Sequence, residues 1–265
     1  MEEVTVDELL VSSYPTRNEM GAAAAKEVAL RLKSLLSEKN FVNMIFAAAP
    51  SQNEFLQFLV AQDGIEWSRV NAFHMDEYIG LSKDAPQGFG NFLKEKLFNK
   101  IPFGKVFYLN GNAPDPRDEC RRYANLLRQH PTDIVCMGIG ENTHIAFNDP
   151  HVADFNDPEI VKIVDLDEVC RRQQVNDGCF DHIDRVPVSA LTLTVPALVC
   201  ADYLFCIVPG KNKSAAVKYT LTEAISERYP ASILRKHKNG RLFLDKNSAE
   251  LLNELGINQE VKAQG

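Results

Sequence analysis

Phe41-Val42-Asn43-Met44-Ile45-Phe46-Ala47-Ala48, followed at once by Ala49-Pro50-Ser51-Gln52-Asn53-Glu54, is the stretch that decides the fold. A short, mostly apolar run of this length suits a strand covered on both faces. Behind it Phe55, Leu56 and Leu59 recur at helical spacing, and Ser51 stands where a helix N-cap belongs. A buried strand that passes through a short polar turn into a helix is half of a crossover unit. Parallel neighbours need such crossovers.

The same unit recurs outward in both directions. Residues 1–16 read as an extended lead-in ending at Pro15, and Asn18–Glu38 as a helix with Asn18 at its N-cap. Downstream, strands are predicted at Ser68–His74, Lys105–Leu109, Asp133–Met137, Ala190–Thr194, Tyr203–Val208 and Arg241–Leu244. Helices are predicted at Phe89–Asn99, Arg117–Gln129, Ser214–Leu221, Ala231–His237 and Ala249–Leu255. Gln87-Gly88-Phe89-Gly90 and residues 150–187 read as loop-rich. Strands alternating with helices predict an α/β fold, with helices on both faces of a mostly parallel sheet. No Ser/Gly-rich linker interrupts residues 1–265, so one domain is expected. Phe147-Asn148-Asp149-Pro150 is echoed at Phe155-Asn156-Asp157-Pro158, but two four-residue copies make no repeat architecture.

Composition removes several classes of function. The 265 residues are 45% hydrophobic and 25% charged, which excludes a disordered chain. With 29 Lys and Arg against 36 Asp and Glu the net charge is −7, so a nucleic-acid partner is not expected. No apolar run is long enough to span a membrane. Met1-Glu2-Glu3-Val4 is not a secretory signal. Cys120, Cys136, Cys170, Cys179, Cys200 and Cys206 form no Cys-x-x-Cys pair and read as buried free thiols of a reducing, cytoplasmic setting.

Ligands of such a sheet bind beyond the carboxyl ends of its strands, so the polar residues after each strand carry the chemistry. Ser51, Gln52 and Asn53 offer a hydroxyl, amides and backbone N–H groups at a helix start, a setting for an anion such as phosphate. Asp76 and Glu77 follow another strand, and a desolvated carboxylate there can act as a base. Gly138-Ile139-Gly140 opens like a dinucleotide fingerprint, but Thr143 replaces the third glycine and Pro150 cuts off a long crossover helix. What remains is a glycine turn, then His144, then Asp149, a pairing suited to proton transfer. His151 is near, yet with no third strong ligand in view a metal is not expected. Pro209-Gly210-Lys211-Asn212-Lys213-Ser214 is a glycine turn with two lysines, again suited to phosphate. Two anion sites, a carboxylate base and a His–Asp pair together point to proton transfer on a sugar phosphate.

Phe73-His74-Met75-Asp76-Glu77-Tyr78-Ile79-Gly80-Leu81, Asn110-Gly111-Asn112-Ala113-Pro114 and His144-Ile145-Ala146-Phe147-Asn148-Asp149-Pro150 resemble the glucosamine-6-phosphate deaminase (isomerase) family. The resemblance runs from about residue 18 to residue 245, nearly the whole chain. The related 6-phosphogluconolactonases share the glycine turn and histidine but typically lack the Met-Asp-Glu-Tyr block. The resemblance implies a modified Rossmann-type three-layer α/β fold. It also implies conversion of glucosamine 6-phosphate and water to fructose 6-phosphate and ammonia, without cofactor or metal. In that scheme Asp76 moves a proton from C2 to C1, His144 assists ring opening, and Asp149 orients His144. Lys213 and the Ser51–Asn53 turn hold the phosphate.

The chain also departs from the family pattern. Asn142 and Thr143 stand where the family usually has Asp and Gly, and Asp149 where it usually has Glu. Asn142 removes a negative charge beside His144, and Glu141 is the neighbour that would replace it. Thr143 takes a place that often needs φ > 0. The usual phosphate-binding arginine has no clean counterpart; Arg172, with Arg171, is nearest. These departures leave open galactosamine 6-phosphate as substrate, a lactonase-like hydrolysis of a 6-phospho sugar, and a weakly catalytic sugar-phosphate sensor. No activator site is expected, and an acidic α/β chain of this size suits a monomer or a homo-oligomer equally.

Overall fold

The computed structural model describes residues 1–254. Its main sheet has eight strands in the order β1-β2-β11-β10-β7-β3-β4-β6. Strand β1 (Glu2–Val6) runs antiparallel to β2 (Leu9–Tyr14); every other pairing in the sheet is parallel. Helix α1 (Arg17–Glu38) leads to β3 (Val42–Phe46) and α2 (Asn53–Val60). Next come β4 (Val70–His74), β5 (Asp76–Tyr78), α3 (Phe89–Leu93), β6 (Lys105–Phe107), α4 (Pro116–Gln129) and β7 (Ile134–Met137). The chain continues through β8 (Val161–Asp165), α5 (Glu168–Asn176), β9 (Ser189–Leu193), α6 (Val195–Val199) and β10 (Tyr203–Val208). It ends with α7 (Ser214–Thr222), β11 (Gly240–Asp245) and α8 (Glu250–Glu254).

The period-2 alternation of the central strands divides the core. Met44 and Phe46, Ile134 and Cys136, and Phe205 and Ile207 face the layer built by α1 and α2. Ile45, Val135, Met137, Leu204 and Cys206 face the layer of α4, α6 and α7. Burial on both faces explains why these strands read as continuous apolar runs. Helix α1 directs Met20, Ala24, Val28 and Leu32 inward. Gly21 lets it approach α2 closely, since a Cβ there would lie 2.8 Å from the Glu54 Cβ. Among the described residues no helix is long and apolar enough to cross a membrane.

A second sheet, in the order β5-β9-β8, is antiparallel throughout. The Leu193 N–H donates to the Met75 carbonyl at 2.8 Å, tying this small sheet to the end of β4.

Several local expectations are corrected. The amino-terminal lead-in is a hairpin, turned at Asp7 with φ +53°, and its second strand joins β11. Thr16, not Asn18, caps α1, accepting the Glu19 N–H at 3.2 Å. Ser51 does not cap α2; a 3₁₀ turn over Pro50–Gln52 runs straight into that helix. Residues 150–187 are not mainly loop, because β8 and α5 lie within them. The helix expected over Ala249–Leu255 spans Glu250–Glu254, and Leu255 lies outside the described residues. All six cysteines are free, but only Cys136, Cys170 and Cys206 are buried, and Cys200 is exposed.

Candidate active site

Strand order reverses at β3: the chain moves outward through β4 and β6, then returns to the other side of β3 as β7. The crevice at the carboxyl ends of β3 and β7 is where an open α/β sheet receives a ligand. Ser51 and Gln52 enter it from the turn after β3, His144 from the loop after β7, and Asp76 from β5. Lys213 reaches it from the turn after β10, and Gln173 and Gln174 from α5. A larger groove of about 700 Å³ lies elsewhere, lined by Arg31, Tyr203 and Arg241 near the amino-terminal ends of β10 and β11. It holds none of these residues.

Asp76 is 6% exposed and pairs with Thr192 across β5 and β9. His74 fixes its backbone: the His74 Nδ1–H donates to the Asp76 carbonyl at 2.9 Å, while Nε2 accepts the Leu109 N–H at 3.0 Å. The second bond defines the tautomer, because Nε2 must be unprotonated to accept. Burial holds the His74 pKa down at about 4, so the ring is a neutral strut. Burial, and then the charge of Glu77, push the Asp76 carboxyl well above its usual range. Glu77 points away and receives the Phe89 and Gly90 N–H groups at 3.0 and 2.8 Å, at the start of α3. The adjacent acids thus divide, Asp76 toward the cleft and Glu77 toward the scaffold.

The loop after β7 is tightly wound. The Gly140 N–H donates to the His144 carbonyl at 2.9 Å, and the Thr143 N–H to the Gly140 carbonyl at 3.0 Å. A Cβ on Gly140 would lie 2.1 Å from the His144 ring, so only glycine fits. Thr143 does occupy the left-handed region, at φ +70°, and its buried hydroxyl has no partner among the described residues. His144 Nδ1 lies 2.7 Å from Asn142 Oδ1 and 3.0 Å from Asp149 Oδ1. Both are acceptors, so Nδ1 carries the hydrogen and Nε2 of the neutral ring is the free base. Asp149 is fully buried. Burial alone would raise its pKa; the His144 and Asn142 contacts and the Asp167 N–H outweigh this and hold it low. Glu141 does not replace the charge missing at Asn142, since its Oε1 accepts the Asn212 Nδ2–H at 2.8 Å. The carboxylate that contacts Asn142 from α5's N-cap is Asp167, whose Oδ2 accepts from Asn142 Nδ2 at 3.1 Å.

Lys213 is 3% exposed and forms no ion pair within 4.0 Å among the described residues. Burial lowers its pKa, opposed by the charges of Asp177 and Glu141. A desolvated ammonium without a close carboxylate is a strong place for an anionic ligand. Lys211, the other lysine of the turn, is exposed and pairs with Glu250 at 3.2 Å. Ser51 lines the cleft, while the Gln52 amide donates to the Ile207 carbonyl at 3.0 Å and straps β10 to the turn.

Two expected ligands are not brought here. Asn53 is exposed on the first turn of α2 and does not line the cleft. Arg172 has a side chain 62% exposed and pairs with Glu168 along α5. Arg171 is spent on the Ile183 and Val186 carbonyls. The register of α5 buries Cys170, Gln173 and Gln174, spaced i, i+3, i+4, so the glutamines face the cleft in place of the arginines. That spacing was the missed signal, as was Asp167 ahead of it as N-cap, accepting the Cys170 N–H at 2.6 Å.

The structure also gives His151 the third ligand not seen in the sequence: donor atoms of Asp149, His151 and Asp167 lie within 4.8 Å of one another, as do those of His144, Asp149 and Cys170. These donors are already engaged. His151 contacts the Asp165 carbonyl, and burial followed by the Asp149 charge keeps Cys170 a thiol.

A family model described as glucosamine-6-phosphate isomerases/6-phosphogluconolactonase matches residues 15–244. Glucosamine-6-phosphate deaminases of Bacillus thuringiensis (strain Al Hakam) and Bacillus anthracis (strain CDC 684 / NRRL 3495) are each 35% identical over 190 residues, covering 72% of this chain and 71% of theirs. A solved monomeric glucosamine-6-phosphate deaminase superposes with a TM-score of 0.83 at 31% identity, over 91% of this chain and 99% of its own. A 6-phosphogluconolactonase from Thermotoga maritima shares the fold, with a TM-score of 0.73 at 21% identity over 90% and 100% of the two chains. With a match over most of its length, the chain belongs to the glucosamine-6-phosphate isomerase/6-phosphogluconolactonase family.

Proposed function

We propose that this chain isomerises and deaminates a 6-phospho-2-amino sugar, turning glucosamine 6-phosphate and water into fructose 6-phosphate and ammonia. The observation that carries the reading is Asp76: a buried carboxyl, with no hydrogen bond to it among the described residues, in one cleft with His144 and Lys213. A carboxylate poorly solvated and with a raised pKa is a better base than one in water. The relatives named above as deaminases support the substrate.

In the proposed cycle His144 Nε2 takes the O1 hydroxyl proton and delivers it to the ring oxygen, opening the pyranose to the C1 aldehyde. The C2 proton is then acidic, because it is α to a carbonyl. Asp76 removes it, and the C2 ammonium gives up a proton that His144 passes to O1, leaving a C1–C2 enol with a neutral amine on C2. Asp76 delivers its proton to C1, and C2 becomes an imine carbon. Water adds to C2, nitrogen leaves as ammonia, and the ketone remains. Lys213 and the Ser51 turn hold the phosphate throughout, fixing C2 against Asp76.

The test is ammonia release from glucosamine 6-phosphate and galactosamine 6-phosphate, with Asp76→Asn as control. Turnover of either sugar that disappears in the control, with binding retained, supports the reading. Folded protein that binds both sugars and releases no ammonia refutes it in favour of a sensor. Absence of binding refutes it in favour of another phosphosugar, with a lactone the next substrate to try.

A further inference from the structure

We infer that Asp167 is a positioning residue, which sets the tautomer of His144 by locking the amide of Asn142. The kinetic consequence rests on the proton-transfer role proposed above for His144; the geometry does not. Asn142 uses its whole hydrogen-bonding capacity here. Its Oδ1 accepts the His144 backbone N–H at 3.1 Å and the ring Nδ1–H at 2.7 Å. Its two Nδ2 hydrogens go to Asp149 Oδ1 at 2.9 Å and Asp167 Oδ2 at 3.1 Å.

An asparagine beside an imidazole has a weakness that an aspartate lacks, because its two ends are unlike. Turned about χ2, Asn142 would set Nδ2–H against Nδ1–H and favour the opposite ring tautomer, with Nε2 protonated and no longer a base. The same turn would set Oδ1 against two carboxylates. Asp149 resists this through one contact to the amide and through its own 3.0 Å contact to the ring Nδ1; Asp167 supplies the second contact to the amide. Asp167 is itself fixed, since its Oδ1 accepts the Cys170 N–H at 2.6 Å and its own N–H reaches Asp149 Oδ2 at 3.4 Å. Helix α5 therefore holds the orienting carboxylate from its N-cap.

Asp167→Ser tests this, because serine retains an oxygen able to cap α5 but offers no second one to Asn142. The expected result is a kcat lower by roughly ten- to a hundredfold with KM little changed. In protein labelled with ¹⁵N-histidine, the His144 ring resonances should move from the Nδ1–H pattern toward a mixture of tautomers. The same change made in an Asn142→Asp background should cost almost nothing, because a carboxylate has no wrong orientation. Should Asp167→Ser fail to fold, Asp167→Asn carries the same expectation: it keeps the cap and turns a donor toward Asn142. Unmoved ring resonances in a folded variant, or an equal loss of kcat in both backgrounds, would overturn the inference. Should the protein release no ammonia at all, the ring resonances alone decide, so the two proposals fail separately.

Discussion

Replacing Thr143 by glycine should stabilise this protein. Thr143 is a buried, β-branched residue at φ +70°. The left-handed region costs an L-residue about 1–2 kcal/mol. Its buried hydroxyl has no partner among the described residues, a further penalty of roughly 1–3 kcal/mol. Glycine removes both. Against this stand about 0.5–1 kcal/mol for the greater freedom of glycine in the unfolded chain and about 1.6 kcal/mol for the two lost side-chain carbons. At mid-range the balance is a gain of about 1 kcal/mol. For 265 residues the usual unfolding entropy is about 0.56 kcal/mol/K, so Tm should rise by roughly 2 °C. Calorimetry of Thr143→Gly beside Thr143→Ala separates the contributions, since alanine removes the hydroxyl and retains part of the strain. Alanine should give a gain of similar size, about 1 kcal/mol, because it keeps the strain but loses one carbon fewer and adds no glycine entropy. A Tm lowered by glycine would show that the threonine side chain makes a contact worth more than its strain and desolvation together, and the reasoning would fail.

Asp76→Asn should lower ammonia release by roughly 10²–10⁴-fold while leaving sugar-phosphate binding measurable by calorimetry, since the amide keeps the shape and loses the base. Lys213→Met should abolish the thermal shift produced by inorganic phosphate or phosphosugar, yet leave the ligand-free Tm equal or higher, because a buried charge with no ion pair among the described residues is removed. The depressed pKa of His74 binds its proton more weakly in the folded state than in the unfolded one. Stability is therefore lost as pH falls from 6.5 toward about 4, by about 3 kcal/mol, and His74→Gln should flatten that slope in pH-dependent denaturation. Asp76 has the opposite sign. Its raised pKa means stability is greatest below the ordinary carboxylate value of 3.8 and declines as pH rises toward the folded pKa; Asp76→Asn should remove that decline.

The α/β architecture was legible in the chain alone, because strands buried on both faces must be apolar along their whole length and parallel strands must be joined by helices. Tyr203–Val208 is a strand to the residue. Asp76, His144, Asp149, Ser51, Gln52 and Lys213 were legible as candidates because they follow such strands, and strand ends converge in a sheet of this kind. The hairpin over residues 2–14 was not, since an edge strand is recognised by its partner and β2 finds its partner in β11, more than two hundred residues on. Nor was α5, a short polar helix whose register alone decides that Gln173 and Gln174 enter the cleft while Arg171 and Arg172 leave it. Asp167 and Asn142 lie 25 residues apart, and only packing brings the carboxylate to the amide. Local pattern states which face of an element is apolar. Where a polar side chain of an irregular segment points depends on partners distant in the chain, and only the folded structure supplies them.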